Sequence, residues 1–181
     1  MEFPRLETER LILRNLRHTD VPRIVEFAAD KEIADNVRNL PHPYAEKDAI
    51  FWLNLSNQGF VSGQKAIFAV ALKDSDLFIG GCGLHINSRD NHAEVGYWMA
   101  KHLWGKGYIT EALGAVIKYG FEERKLHKIL ATHFVENIGS GRVMLKNGMT
   151  QEAVLKDHVL KDGVYRTLIQ NRILRSEYKT P

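Results

Sequence analysis

The sequence predicts an α/β fold of the mixed α+β kind, in which helices flank a mixed central sheet. Strand-like and helical apolar patterns follow one another in the order β-α-α-β-β-β-α-β-α-β-β. Short turns join the three middle strands, which favours an antiparallel meander, whereas one strand–helix–strand unit favours a parallel crossover. A chain of 181 residues with 44% hydrophobic residues can bury one core, so we expect a single domain over residues 1–181.

The chain opens with a strand and a short helix. Residues 9–14 (Glu-Arg-Leu-Ile-Leu-Arg) have the composition of a strand. Asp20 is a plausible N-cap, and the helix that follows begins at Val21-Pro22 and runs to about Ala29. Proline is favoured in the first helical turn, which supports this start.

A second helix is predicted after a proline-rich loop at residues 41–44. Apolar residues at helical spacing extend from Glu46 to about Asn57, where this helix is expected to end. Gly59 and Gly63 are expected to break it, because glycine is a poor helix former.

Six further strands and two helices complete the chain. Turns rich in Asp, Asn and Ser separate the strands of the meander, and Gly148 is expected to stop the last helix. The final two strands form a hairpin that turns at residues 161–163. The predicted elements are strands over residues 66–72, 77–86 and 93–99, a helix from the glycine loop to about Glu123, a strand over 128–134, a helix over 140–147, and hairpin strands over 151–160 and 164–174.

Composition excludes several classes of protein. The 25 basic and 22 acidic residues give a net charge of +3, and the basic residues are scattered, so we expect no direct nucleic-acid partner. The single cysteine, Cys82, cannot form an internal disulfide and is interpreted as a small buried hydrophobe. We find no signal peptide or membrane-spanning run, and expect a cytoplasmic protein. None of the eight histidines has zinc-ligand spacing, so we expect no metal.

The most informative motif lies in residues 102–113, where two glycines precede a segment with helical apolar spacing. Gly105 and Gly107 allow a tight turn and a close approach to a ligand. The first N–H groups of a helix lack partners and carry the positive end of its dipole, which favours phosphate or pyrophosphate. An ordinary tight loop before a core helix is the alternative. There is no P-loop, and Thr110 replaces the third glycine of a dinucleotide fingerprint.

Four segments resemble the GNAT acetyltransferases, in the branch related to RimJ and RimL, which acetylate ribosomal-protein N-termini. The segment His102–Leu113 is similar to the acetyl-CoA loop R/Q-x-x-G-x-G/A. The segment Glu136–Met149 is similar to the family pattern N-x-x-S-x-R-V-x-x-K-x-G-F. His102 replaces the usual Arg or Gln, and Met149 the usual Phe. The implied fold is the GNAT acyl-CoA N-acyltransferase fold with a splayed cofactor-binding strand pair. The four segments are Leu6–Arg14, Glu94–Met99, His102–Leu113 and Glu136–Met149.

The resemblance implies that acetyl-CoA is the acetyl-donor cosubstrate. The backbone from about Trp104 to Ile109 would hold the pyrophosphate. The strand that ends at Met99 would splay from the next strand at a bulge, and the N–H of Trp98 or Met99 would polarise the thioester carbonyl. The implied cofactor-binding residues are Trp98, Met99, His102, Trp104, Gly105, Lys106, Gly107, Tyr108, Ile109, Thr110, Asn137 and Ser140.

The resemblance also implies two catalytic residues. Glu94 stands where many family members carry a carboxylate, so it would be the general base or position the amine; a solvated strand carboxylate is the alternative. The tyrosine that many relatives use to protonate the thiolate is absent, and Ser140 would hydrogen-bond the sulfur instead. Asn137 would bond the pantetheine amide. Helix capping is the alternative for both Asn137 and Ser140.

The resemblance favours the α-amine of a protein N-terminus as acceptor. At pH 7, deprotonation costs about 1 kcal/mol for an α-amine but roughly 4–5 kcal/mol for lysine, which also suits one modest base. Acceptor walls are expected at residues 36–44 and 157–165, and Trp52 is expected in the core or in a wall. A small amine (polyamine, amino acid or antibiotic) is the second hypothesis and a non-catalytic acetyl-CoA-binding module the third. The oligomeric state is open, and the branch is compatible with a homodimer.

Overall fold

The computed structural model describes residues 2–179, which form an eight-stranded sheet in the order β1-β2-β3-β4-β5-β6-β8-β7. Only β5 and β6 are parallel, and α4 crosses between them, as predicted. The strands are β1 (Leu6–Glu7), β2 (Leu11–Arg14), β3 (Lys65–Leu72), β4 (Phe78–Asn87), β5 (His92–Met99), β6 (Lys128–Phe134), β7 (Thr150–Lys161) and β8 (Val164–Leu174). The helices are α1 (Val21–Ala28), α2 (Lys31–Asn36), α3 (Glu46–Val61), α4 (Tyr108–Glu122) and α5 (Ile138–Lys146).

Helices cover both faces of the sheet. On one face, α4 and α5 pack their apolar residues, such as Leu113 and Met144, against the strands. On the other face, α1 and α3 bury residues such as Ile24 and Leu53 against the sheet. Because neighbouring residues of a strand point to opposite faces, each strand contributes to both cores.

Strand β5 shows this alternation clearly. Val95 and Tyr97 pack against the core on the α4–α5 face, while Trp98 belongs to the core beneath α1 and α3. Glu94 shares the parity of Trp98 and therefore lies on the α1–α3 face. Residues three positions apart on β5, such as Glu94 and Tyr97, thus point to opposite sides of the sheet.

The predicted hairpin and the buried cysteine are confirmed. Strands β7 and β8 pair from Lys161 and Val164 onward, so Asp162 and Gly163 form the two-residue turn. Both turn residues have positive φ (50° and 79°), as the tight hairpin turn requires. Cys82 is 1% exposed, and its burial raises the pKa of its thiol.

Asp20 occupies the N-cap position of α1, as predicted, but its side chain makes no capping hydrogen bond to the helix. Its carboxylate accepts the Arg17 backbone N–H at 2.9 Å and both terminal nitrogens of buried Arg14, at 2.8 and 2.9 Å. A short 3-10 turn at residues 18–20 therefore precedes the helix. A buried guanidinium needs such partners, and this need outweighs capping.

Helix α3 continues through Gly59, so the predicted break there is wrong. A Cβ at Gly59 would lie 2.6 Å from carbons of the Lys65 side chain, which shows that close packing requires glycine. The helix ends after Val61, where Gly63 adopts φ 75°. The N–H groups of Gly63 and Gln64 donate to the carbonyls of Phe60 and Gly59, a Schellman ending.

The remaining differences concern helix starts and short elements. Helix α5 begins at Ile138, two residues before the predicted start, because Asn137 caps it. Strand β1, helix α2 and a 3-10 turn at residues 101–103 had no strong pattern in the sequence. No helix within residues 2–179 is both long and apolar enough to cross a membrane.

Candidate active site

Strands β5 and β6 form a fork. They pair only from His92–Lys128 to Glu94–Leu130, and beyond this point they separate. The register between β4 and β5 is continuous as far as Met99, so the bulge expected in β5 is wrong. The fork opens because β5 stays paired with β4 while the whole of β6 stays paired with β8. The two strands therefore splay apart as expected, but without a bulge in β5.

The fork exposes backbone groups of β5. Ala100 donates its N–H to Ile79 of β4 at 2.9 Å, and hydrogen-bonded pairs alternate along an antiparallel ladder. Trp98 therefore directs its N–H toward β4, whereas Tyr97 and Met99 direct theirs into the fork. Of the two donors considered from sequence, only Met99 faces the fork.

Glu94 lies where β5 and β6 part. Thr132 of β6 donates its hydroxyl to Glu94 Oε1 at 2.9 Å, which leaves the other carboxylate oxygen available. Glu94 also lines an open cleft of about 580 Å³ on the α1–α3 face, together with Lys65, His85 and His92. A Cβ at Gly96, two residues further along the same face, would meet no atom within 4 Å, so there is space beside Glu94.

Ser140 and Asn137 stand at the start of α5. The Asn137 side-chain oxygen accepts the Ser140 backbone N–H at 3.0 Å, so Asn137 caps the helix. Ser140 is not a cap; its hydroxyl lies 2.9 Å from the Tyr97 hydroxyl, which is also 3.0 Å from the Ser140 carbonyl oxygen. Burial raises the pKa of the Tyr97 phenol, despite its hydrogen bond with Ser140, so this group stays protonated.

The glycine loop has the backbone shape predicted for it. Gly105 and Gly107 have φ 77° and 83°, and a Cβ at Gly105 would meet no atom within 4 Å. Gly107 stands directly before Tyr108, the first residue of α4, and the first backbone N–H groups of the helix point out of the loop. An exposed loop of this kind fits a pyrophosphate. Lys106, Ile109 and Thr110 belong to the same turn and helix start.

Arg10 fixes this loop to the sheet, a role that the sequence did not reveal. Its Nε donates to Glu111 Oε2 at 2.7 Å, its backbone N–H to Glu111 Oε1 at 2.8 Å, and its Nη1 to the Lys106 carbonyl at 3.1 Å. Its guanidinium lies 4.4 Å from the Tyr108 ring centroid. Thr8 adds a 2.6 Å bond to Glu111.

The side chains of three predicted cofactor residues make contacts within the protein. Trp104 donates its indole N–H to the Met99 carbonyl at 2.9 Å, which joins the loop to the end of β5. His102 is exposed, and its ring centroid lies 5.6 Å from that of Phe27 in α1. Trp98 packs against Trp52 of α3, with ring centroids 5.9 Å apart, so Trp52 packs against the core on the α1–α3 face.

The sequence matches the acetyltransferase (GNAT) domain family over residues 10–150. The chain belongs to the GNAT acetyltransferase family. It is 32% identical to the uncharacterized N-acetyltransferase YnaD of Bacillus subtilis over 174 residues, which covers 96% of this chain and 98% of YnaD. It is 29% identical to the [ribosomal protein uS5]-alanine N-acetyltransferase of Escherichia coli, over 90% and 86% of the two chains.

The fold agrees with this family. The solved structure of RimL, a ribosomal L7/L12 alpha-N-protein acetyltransferase in complex with coenzyme A, superimposes with a TM-score of 0.87. The match covers 94% of this chain and 98% of that one at 15% identity. The family match makes the protein an N-acetyltransferase of the GNAT type, and the superposition agrees with the mixed sheet of that fold.

The two expected acceptor walls of this GNAT enzyme are in contact. Lys161 of the hairpin donates to the Val37 carbonyl at 3.1 Å, which joins residues 157–165 to residues 36–44. The hairpin also carries exposed apolar residues, including Leu160 and Tyr165. Within residues 2–179, no three His, Cys, Asp or Glu side chains are grouped to hold a metal ion.

Proposed function

We propose that the protein transfers acetyl from acetyl-CoA directly to the α-amine of a protein N-terminus. One observation carries the proposal: Glu94 and Ser140 reach the fork from opposite faces of the sheet. Glu94 lies on the α1–α3 face, whereas Ser140 meets Tyr97 on the α4–α5 face. A base and a sulfur-stabilising hydroxyl on opposite sides suit an amine and a thioester that meet at the fork without a covalent enzyme intermediate.

The chemistry divides among residues of this chain. The acceptor nitrogen forms the new bond to the acetyl carbon as the carbon–sulfur bond breaks. Glu94, held by Thr132, takes the proton from the amine directly or through water. The fork-facing N–H of Met99 is placed to donate to the developing oxyanion, and the Ser140 hydroxyl to the departing thiolate. The loop from Trp104 to Ile109 would hold the pyrophosphate.

The cleft beside Glu94 favours a peptide over a polyamine. A site for a polycation would need several carboxylates, but Glu94 shares this cleft with Lys65, His85 and His92. The groove is open, as an extended chain requires. The relatives that act on ribosomal-protein N-termini support the same acceptor class. We also place the reaction in the cytoplasm, since a single buried thiol suits a reducing compartment.

The test is release of CoA from acetyl-CoA against a panel of acceptors. The panel contains peptides that begin with Ala, Ser or Met, the same peptides with a blocked α-amine, spermidine and an aminoglycoside. We expect turnover with one peptide class and none with its blocked form. Turnover confined to spermidine or the aminoglycoside would reject the N-terminal acceptor and support a small-amine enzyme. Binding of acetyl-CoA without turnover of any acceptor would favour a non-catalytic module.

The role of Glu94 is tested with Glu94→Gln. This change removes the proton acceptor but keeps the shape, so kcat should fall at least about tenfold. Acetyl-CoA affinity, measured by calorimetry, should persist because Glu94 lies away from the glycine loop. The exposed Glu123, at the end of α4, supplies the matched control Glu123→Gln. An unchanged kcat in Glu94→Gln would mean that Glu94 is only a solvated strand carboxylate.

A further inference from the structure

Four consecutive strands present one row of side chains on the α1–α3 face. Lys65 of β3 stands opposite His85 of β4, His85 opposite Glu94 of β5, and Glu94 opposite Leu130 of β6. The same four residues line the open cleft. Since neighbouring strands lie about 4.8 Å apart, Lys65 and Glu94 are separated by about 10 Å at their Cα atoms. The row therefore runs from a cation through an imidazole to the candidate base.

The Lys65 side chain packs along its aliphatic stem, and within residues 2–179 its ammonium group has no ion-pair partner. Its aliphatic stem packs against Gly59 of α3, where the stem carbons lie 2.6–2.8 Å from the position that a Cβ would take. Within residues 2–179, no carboxylate lies within ion-pair distance of its ammonium group. A cation without an ion-pair partner in an open cleft is suited to an anion brought by a ligand.

His85 contributes as a neutral group. Partial desolvation of its ring by neighbouring groups, together with the charge of Lys65, lowers the pKa of the imidazole, while Glu94 opposes the shift. The cleft thus holds one negative charge at Glu94 and one positive charge at Lys65, with a neutral hydrogen-bonding group between them. This polarity would orient an acceptor that carries an amine at one end and an acid at the other.

We propose that Lys65, with His85, forms a subsite for an acidic side chain at the second or third residue of the acceptor peptide. The inference rests on the proposed function, because it places the α-amine at Glu94. An extended peptide advances about 3.3–3.6 Å per residue, so a carboxylate one or two residues from the α-amine reaches about 7–10 Å. This matches the separation of Glu94 and Lys65. A free amino acid, whose carboxylate adjoins its amine, cannot span the row.

The test compares Ala-first peptides of equal length. One series carries Asp or Glu at position 2, 3 or 6, and the matched series carries Asn or Gln at the same positions. We expect kcat/KM to be about fivefold higher for the acidic peptides at positions 2 and 3, and equal within each pair at position 6. The preference should shrink as salt increases, since the ion pair is partly exposed.

Lys65→Met removes the charge and keeps a stem that can pack on Gly59. In this variant the ratio between acidic and amide peptides should fall to about one. The control Lys179→Met removes an exposed charge near the C-terminus and should retain the preference. Equal turnover of both series by the unchanged protein, or a preference that survives Lys65→Met, would overturn the subsite and leave N-terminal acetylation intact. If no peptide with a free α-amine is acetylated, both proposals are overturned.

Discussion

Replacing Tyr97 with phenylalanine tests whether Ser140 acts on the departing sulfur. The change removes only the hydroxyl that lies 2.9 Å from Ser140 Oγ and 3.0 Å from the Ser140 carbonyl oxygen. The aromatic ring stays in the core beside Cys82. Tyr97 does not itself reach the sulfur in this scheme; it is a positioning residue that holds the Ser140 hydroxyl in one orientation.

The magnitude follows from the rotamers of Ser140. A serine side chain has three staggered wells, and without Tyr97 the productive one should be occupied about a third of the time. We therefore expect kcat to fall about threefold in Tyr97→Phe. Ser140→Ala removes the donor itself, and a hydrogen bond to a charged group contributes about 1.5–3 kcal/mol, so kcat should fall about 10- to 100-fold.

The decisive assay is the double variant. Because Tyr97 acts only through Ser140, adding Tyr97→Phe to Ser140→Ala should cause no further loss in kcat. The pKa of the thiol of bound CoA, followed by thiolate absorbance, should rise in both single variants. Tyr178→Phe is the matched control, since within residues 2–179 the buried Tyr178 hydroxyl has no hydrogen-bond partner. Losses that multiply in the double variant, or an unchanged thiol pKa, would refute the reasoning.

Two further predictions concern the glycine loop. Gly107→Ala should weaken acetyl-CoA binding about tenfold in calorimetry, because φ 83° costs an L-residue about 1–2 kcal/mol; unchanged affinity would show that the loop does not need this conformation. Glu111→Gln should lower Tm by about 3 °C at pH 7, a loss of about 1 kcal/mol, since it ends the ion pair with Arg10. Burial opposes the shift, but bonds from Thr8 and Arg10 hold the pKa of Glu111 below its ordinary 4.5. The difference in Tm should therefore be present above pH 4.5 and disappear as pH falls below it; a difference that persists in acid would contradict this account.

Local signals predicted the parts of the site that depend on local chemistry. Gly105 and Gly107 were identified because two glycines before an apolar helical pattern allow a tight turn, and the structure shows that both adopt positive φ. The fork-side strand with Glu94 was likewise recognisable, since its alternation and flanking turns set its limits. The Asp162-Gly163 turn was evident for the same reason.

Contacts between distant residues could not be predicted in this way. Arg10 and Glu111 lie 101 positions apart, and Tyr97 and Ser140 lie 43 apart, so no periodicity connects them. The same limit applies to the side chain of Asp20. Its residue type favours helix capping, but its carboxylate accepts hydrogen bonds from the buried Arg14 instead. The row from Lys65 to Glu94 depends on strand register, which a single sequence specifies only through the assembled sheet.

Two side-chain bridges span the fork, and each contains one candidate catalytic residue. Glu94 and Thr132 join β5 to β6 at the closed end, and Tyr97 joins β5 to Ser140 of α5, the helix that follows β6. The exposed backbone edges between these bridges would otherwise tend to pair, as free strand edges do. The two bridges lie on opposite faces of the sheet. The separation of β5 and β6 that leaves room for a ligand therefore also sets the distance between the Glu94 carboxylate and the Ser140 hydroxyl. A change at either bridge should therefore affect cosubstrate binding and chemistry together unless, as in Glu94→Gln, the new side chain can still accept the hydrogen bond.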